Sequence, residues 1–519
     1  MVIDKERGPA KLPVLARGVI AVFAGAALVA ALPPYSQWWS ASLSLSALLL
    51  LVHGRSPAVA FAIGCAFGLG FFGVGVSWIG ESFQVDAERF GALAVPAVAT
   101  LSAILATFIG AACAATVMVS PRDGVFRYAA VLAMCWAGAE WLRGHILTGF
   151  PWNLVAYVTA DHAPFRQAAA VFGSYGLSAM VVWLAALPGA VLMARNGRTA
   201  MMAVFAALVG VLGLWSYGTA YLQAPAPSQD ALAIRIVQGN IPQASKWDPA
   251  QREAIIERYL SLSAAPGRFQ VLVWPEAAFP GFLAEDDEVR TRIAKLLPVG
   301  GFLLAGSPVR FGEGMKSIYQ NAIVVVRSDG SIADLYAKHH LVPFGEYVPF
   351  KALLPIRRMV ESLGDFTPGD GPRTLDLGSL RQPAAAICYE AIFPGHVVDR
   401  RSEASWIVNV TNDAWFGTSI GPYQHLASAR MRAIEEGLPL VRAANTGISI
   451  VSDAHGGALG KIGLAREGIV DISLPASHSP TPYATFGDIA ALALAGFLAL
   501  MGALLDRLLK VAGKPHRVA

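Results

Sequence analysis

Apolar residues follow two different patterns along this chain. Long apolar runs separated by short polar turns occupy 17–33, 37–53, 57–79, 91–119, 128–142, 168–194 and 199–222, with one more at 487–505. A helix crossing a bilayer core needs about 20 such residues, so this pattern predicts a multi-pass α-helical membrane bundle of about eight spans. The run at 128–142 is the shortest and ends in Glu140-Trp141. The run at 37–53 is rich in serine and opens on Trp38-Trp39, which suits an interfacial anchor. Basic residues precede the first run, as they would a cleaved leader. That run leads straight into the second and is read as a retained helix.

Between 223 and 482 the apolar runs become short and β-branched. They lie at 233–238, 270–274, 301–305, 322–326, 384–388, 406–410 and 447–451, bounded by Gly, Pro and Asn, and read as buried strands. Helical stretches fall between some of them, at 249–264 and 422–437. The expectation is an α/β domain large enough to bury its own core. Pro225-Ala226-Pro227 and Pro480-Thr481-Pro482 mark its hinges. The predicted organisation is a seven-helix bundle over 1–222, an α/β domain over 223–482, and a last spanning helix with its tail over 483–519.

Composition fits this picture. Hydrophobic residues make up 55% of the chain and charged residues 15%, against about 25% charged in soluble proteins, and the mean hydropathy is +0.50. The net charge of +4 is small, and no basic run with interleaved aromatics points to nucleic acid. The basic residues are unevenly placed. With the N-terminus inside, Lys5, Arg7, Lys11, Arg17, Arg55, Arg122, Arg127, Arg195, Arg198, Arg507, Lys510, Lys514 and Arg517 share that side, and only Arg89, Arg143 and Arg166 fall in short outer loops. The positive-inside rule then puts both termini in the cytoplasm and the 223–482 domain outside. Arg143, near the outer end of a span, is expected to snorkel or to pair with Glu140.

Three motifs in the polar insert carry the candidate chemistry: Trp274-Pro275-Glu276, the stretch Tyr336 to Leu341 containing Lys338, and Ile387-Cys388-Tyr389-Glu390. Glu276 and Cys388 each end a strand-like run. A thiol attacks a carbonyl carbon as thiolate and needs a base or a positive field nearby. A carboxylate in an apolar surround can serve as that base, and a lysine can hold the developing oxyanion. Each has a structural alternative: Glu276 and Lys338 as an ion pair, Cys388 as a buried small hydrophobe. Cys65, Cys113 and Cys135 lie in apolar runs, so no disulfide framework is expected. No CxxC, HExxH or EF-hand string is present, so no metal is predicted. Gly417-Thr-Ser-Ile-Gly421 fits GxSxG, but Pro422 follows it and the segment reads as a loop, not a nucleophile elbow. His339 and His340 are adjacent and read as local structure, and His425 as a satisfied residue on a helix.

The order Glu, Lys, Cys resembles the carbon-nitrogen hydrolase (nitrilase) superfamily, and the surrounding strings resemble its apolipoprotein N-acyltransferase branch. These strings are Val237-Gln-Gly-Asn-Ile-Pro-Gln243 with Lys246-Trp247-Asp248, then Trp274-Pro-Glu276 and Lys338-His-His-Leu-Val-Pro-Phe-Gly-Glu-Tyr-Val-Pro349. They continue with Cys388-Tyr-Glu390 and Asn409-Val-Thr-Asn-Asp-Ala-Trp-Phe-Gly417, and in the membrane part with Trp141-Leu-Arg-Gly144 and Thr148-Gly-Phe-Pro-Trp152. The resemblance implies a nitrilase-like αββα sandwich with Glu276 as base, Cys388 as nucleophile and Lys338 as transition-state stabiliser. It implies supporting roles for Trp247, Glu346, Tyr389 and Glu390, and puts Phe344 and Phe416 on loops over the site. The implied reaction is ping-pong: a membrane phospholipid acylates Cys388, and the α-amine of a diacylglyceryl-cysteine at an apolipoprotein N-terminus takes the acyl chain. No cofactor is expected, and the protein is expected to be a monomer. A membrane-tethered amidase with water as acceptor, and a transporter or scaffold with an inactive insert, are the competing readings.

Overall fold

The computed structural model describes residues 13–120, 124–224, 229–312, 317–349, 365–478 and 480–512. The hinge Pro225-Ala226-Pro227 and the basic residues Lys5, Arg7, Lys11, Arg122, Lys514 and Arg517 lie outside the described residues.

Each of the eight apolar runs forms a helix: Val14–Val29, Trp38–Val52, Pro57–Gly75, Ala94–Val119, Val125–His145, Ala169–Met193, Gly197–Leu222 and Asp488–Ala512. Among the described residues, five helical segments are long and apolar enough to cross a membrane: Pro57–Gly75, Ala87–Val119, Ala169–Met193, Gly197–Leu222 and Asp488–Lys510. Val14–Val29 and Trp38–Val52 are shorter apolar helices. Val125–His145 is not among the five and carries Arg127, Glu140 and Arg143. Small residues bring the bundle backbones together, as such interfaces require in lipid. A Cβ on Gly64 would lie 2.8 Å from the Gly110 Cα.

Arg143 departs from expectation. It neither snorkels nor forms a direct ion pair with Glu140. The loop after its helix folds back, and Arg143 Nη1 donates to the Phe150 and Trp152 carbonyls. Glu140 Oε1 instead accepts from Trp136 Nε1 and Val155 N, both at 2.9 Å.

The insert forms two sheets. The first has the order β11-β1-β2-β3-β4-β5 and the second β10-β9-β8-β7-β6. The first holds β1 (Leu232–Gln238), β2 (Val271–Trp274), β3 (Phe302–Phe311), β4 (Ile318–Arg327), β5 (Ile332–Ala337) and β11 (Gly468–Leu474). The second holds β6 (Pro383–Ile387), β7 (Trp406–Thr411), β8 (Leu440–Ala444), β9 (Ser449–Ser452) and β10 (Ala458–Ile462). In each sheet three neighbouring strands run parallel, β1-β2-β3 and β6-β7-β8, so their carboxyl ends share one rim. Ile234, Ile236, Val273 and Leu304 of the first sheet pack with Ile387, Val408, Val410 and Val441 of the second. Helices Arg252–Ser263 and Asp287–Ala294 supply residues to the cluster on the first sheet's outer face. Helix Gly421–Glu436 covers the second sheet through Leu426, Ala429 and Ala433. The result is the expected αββα sandwich. Strands β5, β8, β10 and β11 and the helix Asp287–Ala294 were not anticipated.

Candidate active site

The site is assembled from strand ends. β2 closes at Trp274, and Pro275 carries the chain into Glu276. Gly306 on the neighbouring β3 is required there, because a Cβ would sit 2.3 Å from Glu276 Cα and 2.6 Å from Pro275 O. β5 closes at Ala337, and Lys338 N donates to Asn321 O of β4 at 2.8 Å. β6 closes at Ile387, and Cys388 opens a 3-10 turn, Cys388–Ile392, with φ +48°. A non-glycine residue rarely holds a positive φ, and the cost is of order 1–3 kcal/mol.

Glu390 holds that turn in place. Its carboxylate accepts from Ile387 N (2.6 Å), His339 N (2.7 Å) and Tyr336 Oη (2.9 Å), and it lies 2.7 Å from His339 Nδ1. One buried side chain therefore ties the end of the lysine strand to the turn carrying the thiol. Burial alone would raise the Glu390 pKa; the His339 contacts and the Ile387 N–H outweigh it and hold the carboxyl below its usual range.

Lys338 Nζ lies 2.8 Å from Glu346 Oε2 and 3.7 Å from Glu276 Oε1. Asn321 Nδ2 donates to both carboxylates at 2.7 Å, and Val342 N donates to Glu346 Oε2 at 2.7 Å. The cluster is nearly dry, with Lys338 1% and Glu276 7% exposed. Burial would lower the lysine pKa, but Glu346 and Glu276 more than offset it and the net shift is upward, so Lys338 stays an ammonium. Burial pushes the Cys388 thiol up and Glu276 adds to this, while Lys338 and the Thr411 hydroxyl pull it back only in part. Cys388 therefore rests as a thiol beside a carboxylate that can take its proton and a cation that can hold the charge formed next.

The structure places the supporting residues unevenly. Glu346 joins the charged cluster and Glu390 braces it. Tyr389 turns away, and its Oη donates to Gly149 O of the membrane part at 2.9 Å. Trp247 is half-buried in the turn after the 3-10 segment Gln243–Ser245, with no hydrogen bond to the cluster among the described residues. Phe344 has φ +64° and is 42% exposed. Phe416 is packed in an aromatic cluster, with ring centroids 4.3 Å from Trp78 and 6.0 Å from Trp152. Ser419 donates to Phe416 O at 2.6 Å, a local loop contact, with no triad around it among the described residues. His339 and His340 serve different partners: His340 Nε2 meets Thr148 O at 2.8 Å, and its ring stacks on Phe393 at 3.7 Å.

Sequence reasoning missed three contributors. Asn321 gave no signal beyond an amide in a β-branched strand. Lys246, quoted only beside Trp247, carries a buried ammonium 1% exposed. The third is a buried network behind Cys388. His425 Nδ1 meets Asp413 Oδ1 at 2.8 Å, His425 Nε2 meets Cys388 O at 3.0 Å, and Arg442 Nη2 meets Asp413 Oδ2 at 2.8 Å. Burial would raise Asp413, but Arg442 and His425 outweigh it and bring it down to about 2. Potential ligand atoms of Cys388, Asp413 and His425 lie within 4.8 Å of one another. Both ring nitrogens are already bonded and a guanidinium sits on the carboxylate, so this donor set reads as an ion-pair network, not a metal nest.

A two-sheet domain with a carboxylate, an amine and a thiol gathered at one rim, attached to apolar helices, defines a membrane-bound member of the carbon-nitrogen hydrolase class. Residues 233–479 match the carbon-nitrogen hydrolase family model, and residues 24–187 match the apolipoprotein N-acyltransferase N-terminal domain. Apolipoprotein N-acyltransferase of Rhodopseudomonas palustris is 37% identical over 508 residues, covering 93% of this chain and 94% of that protein. That of Bradyrhizobium diazoefficiens is 39% identical over 511 residues, covering 93% and 94%. A mutant amidase of the nitrilase superfamily from Nesterenkonia AN1 aligns with a TM-score of 0.34 at 20% identity, covering 49% of this chain and 94% of that one. The chain belongs to the apolipoprotein N-acyltransferase family. That membership does not favour the amidase reading.

Proposed function

We propose that this membrane enzyme moves an acyl chain from a phospholipid, through a Cys388 thioester, to the α-amine of the diacylglyceryl-cysteine of an apolipoprotein. The observation that carries the reading is the dry convergence of Glu276, Lys338 and Cys388 in a chain of this family. Glu276 takes the thiol proton as sulfur attacks the ester carbonyl, and Lys338 holds charge on the oxyanion. Collapse breaks the bond to the glycerol oxygen, and Glu276 returns the proton to the departing alkoxide. The acceptor amine then attacks the thioester, its proton passes to Glu276, and the thiolate leaves and is reprotonated. A thioester is reactive enough toward a neutral amine that no nucleotide or metal is required.

Glu346, Asn321 and Glu390 set the geometry in this scheme. Trp247, Tyr389, Phe344 and Phe416 border the route of the lipid substrates. All eight helices are assigned as spans, with both termini in the cytoplasm, the 223–482 domain on the periplasmic side of the inner membrane, and a single chain as the working unit. The strands between 232 and 474 support that domain assignment, and the uneven placement of basic residues supports the orientation.

Intact-protein mass spectrometry after incubation with phospholipid tests the reading. The expected result is a hydroxylamine-labile acyl adduct, absent in Cys388→Ala and discharged by a diacylated lipopeptide. An adduct discharged only by water would return the assignment to an amidase.

A further inference from the structure

Lys246 departs from the usual rule for buried cations. Its ammonium is 1% exposed and has no hydrogen-bond partner among the described residues. An unpaired buried ammonium costs stability, so a lysine with only a structural role would be expected to sit against a carboxylate or a carbonyl. The segment carrying it is fixed. Asn445 accepts from Ile241 N at 3.0 Å and donates to Ile241 O at 2.7 Å, and Asn412 Nδ2 donates to Gln243 Oε1 at 2.7 Å. Asn412 directly follows β7, the strand beside the one that delivers Cys388, and Asn445 directly follows β8, the next strand in that sheet. Lys246 is thus brought from the first sheet's side to the rim of the second. Burial brings it down to about 7, opposed by Glu276 and, when it is ionised, by Cys388. The side chain therefore lies within the field of the candidate base and the candidate nucleophile together.

Lys338 and Lys246 differ in how free their protons are. Lys338 is held between Glu346 and Glu276, whereas among the described residues no group accepts a hydrogen bond from Lys246 Nζ. The acyl-transfer reading above, on which this step rests, creates one new anion in this dry space. We propose that Lys246 is a second cationic catalytic residue, whose ammonium donates to the oxyanion formed when Cys388 adds to the acyl carbonyl. As the C–S bond forms, the carbonyl π pair moves to oxygen and the thiol proton goes to Glu276. As the tetrahedral adduct collapses, the C–O bond to glycerol breaks and the proton on Glu276 goes to the alkoxide. Lys246 keeps its protons throughout and lowers the barrier by hydrogen bonding alone.

The test measures the rate of acyl-adduct formation on Cys388 by rapid quench and mass spectrometry. Full-length wild type, Lys246→Met and Lys246→Arg in detergent micelles are each given phospholipid or a phosphate-free p-nitrophenyl ester. Loss of one oxyanion donor costs about 10²–10³-fold in rate. Lys246→Met is expected to lose that much with both donors, and Lys246→Arg to recover part of it. Because Lys246→Met removes an unpaired buried charge, its thermal midpoint should equal or exceed that of wild type. Wild-type acylation rates in Lys246→Met, or a lowered midpoint, would overturn the assignment. A loss confined to the phospholipid would assign the ammonium to a headgroup phosphate instead and overturn it equally. Wild type forming no adduct with either donor would remove the acyl-transfer reading and this inference with it.

Discussion

At the scale of single residues, the site pairs groups whose neighbours shift their proton affinities in opposite directions. Cys388 is pushed up by burial and Asp413 is brought down to about 2, although both lie at the same rim. Asp413 gives a prediction whose sign can be worked out. Its folded pKa is depressed from 3.8, so its contribution is fully present above about pH 4 and is lost as pH falls through about 2. That shift is worth about 2 kcal/mol. Asp413→Asn should therefore unfold at lower denaturant at pH 7, by at least about 2 kcal/mol, because it also leaves buried Arg442 without its carboxylate. The gap between variant and wild type should narrow as pH is lowered toward 3. A gap that did not change with pH would mean the ion pair contributes nothing to stability. Glu276, Lys338 and Cys388 were legible because each lies in a distinctive string, and Glu276 and Cys388 also end apolar runs. Lys246 and Asn321 were not, because what singles them out is a missing or shared hydrogen-bond partner, which exists only once distant segments have been brought together by the fold.

At the scale of elements, the site is set by how closely β2 and β3 approach. Glu276 follows the end of β2, and its backbone lies against Gly306, where an added Cβ would fall within 2.3–2.6 Å of backbone atoms that no side-chain rotation can clear. Ala278 N also donates to Gly306 O at 3.1 Å, so the turn and the strand would have to move together. Gly306→Ala should displace Glu276 by a fraction of an ångström or more while the sheet core survives. Misplacing a reacting group by about 1 Å can cost about 10²-fold, so acyl-adduct formation should fall by about that factor. Circular dichroism should still report a folded domain, and an alanine variant with wild-type acylation would show that this contact does not set the base. All seven expected strands formed, because each was a short, buried, mostly apolar run. The four missed strands failed that test in two ways. β5, β10 and β11 are largely exposed or half-buried, and β8 carries Arg442 in its middle. Arg442 reads as a surface charge until Asn409 and Asp413 are found bonded to it.

At the scale of the whole molecule, the two parts share a core. Helix Gly421–Glu436 buries Leu426, Ala429 and Ala433 against the second sheet, while Ala427, Met431 and Ile434 join the apolar cluster of the membrane bundle. Polar contacts reinforce that seam near the thiol. Trp152 Nε1 donates to Gln424 Oε1 at 2.8 Å, and Arg432 Nη1 donates to Ile392 O, the end of the Cys388 turn, at 3.1 Å. The hydrophobic pattern marked 422–437 as a helix, but it gave no sign that the helix is enclosed on both sides, because the residues facing the bundle alternate with charges. Those charges neutralise one another. Arg432 Nε lies 2.6 Å from Glu435 Oε2, and Glu435 Oε1 accepts from Ser174 N at 2.7 Å and from Ser174 Oγ at 2.6 Å. Breaking a buried pair from one side leaves an uncompensated charge and costs about 3–5 kcal/mol, whereas replacing both partners with apolar groups is often neutral. Glu435→Ala should therefore lower the unfolding midpoint sharply, and because Arg432 also holds the Cys388 turn it should slow acylation. The double variant Arg432→Met, Glu435→Leu should regain most of the stability but little of the rate, since it still lacks the hydrogen bond to Ile392 O. Thermal unfolding and adduct formation measured side by side separate the two effects. Recovery of both would mean that the pair only holds the seam together, and recovery of stability alone would mean that Arg432 also positions the turn that carries the nucleophile.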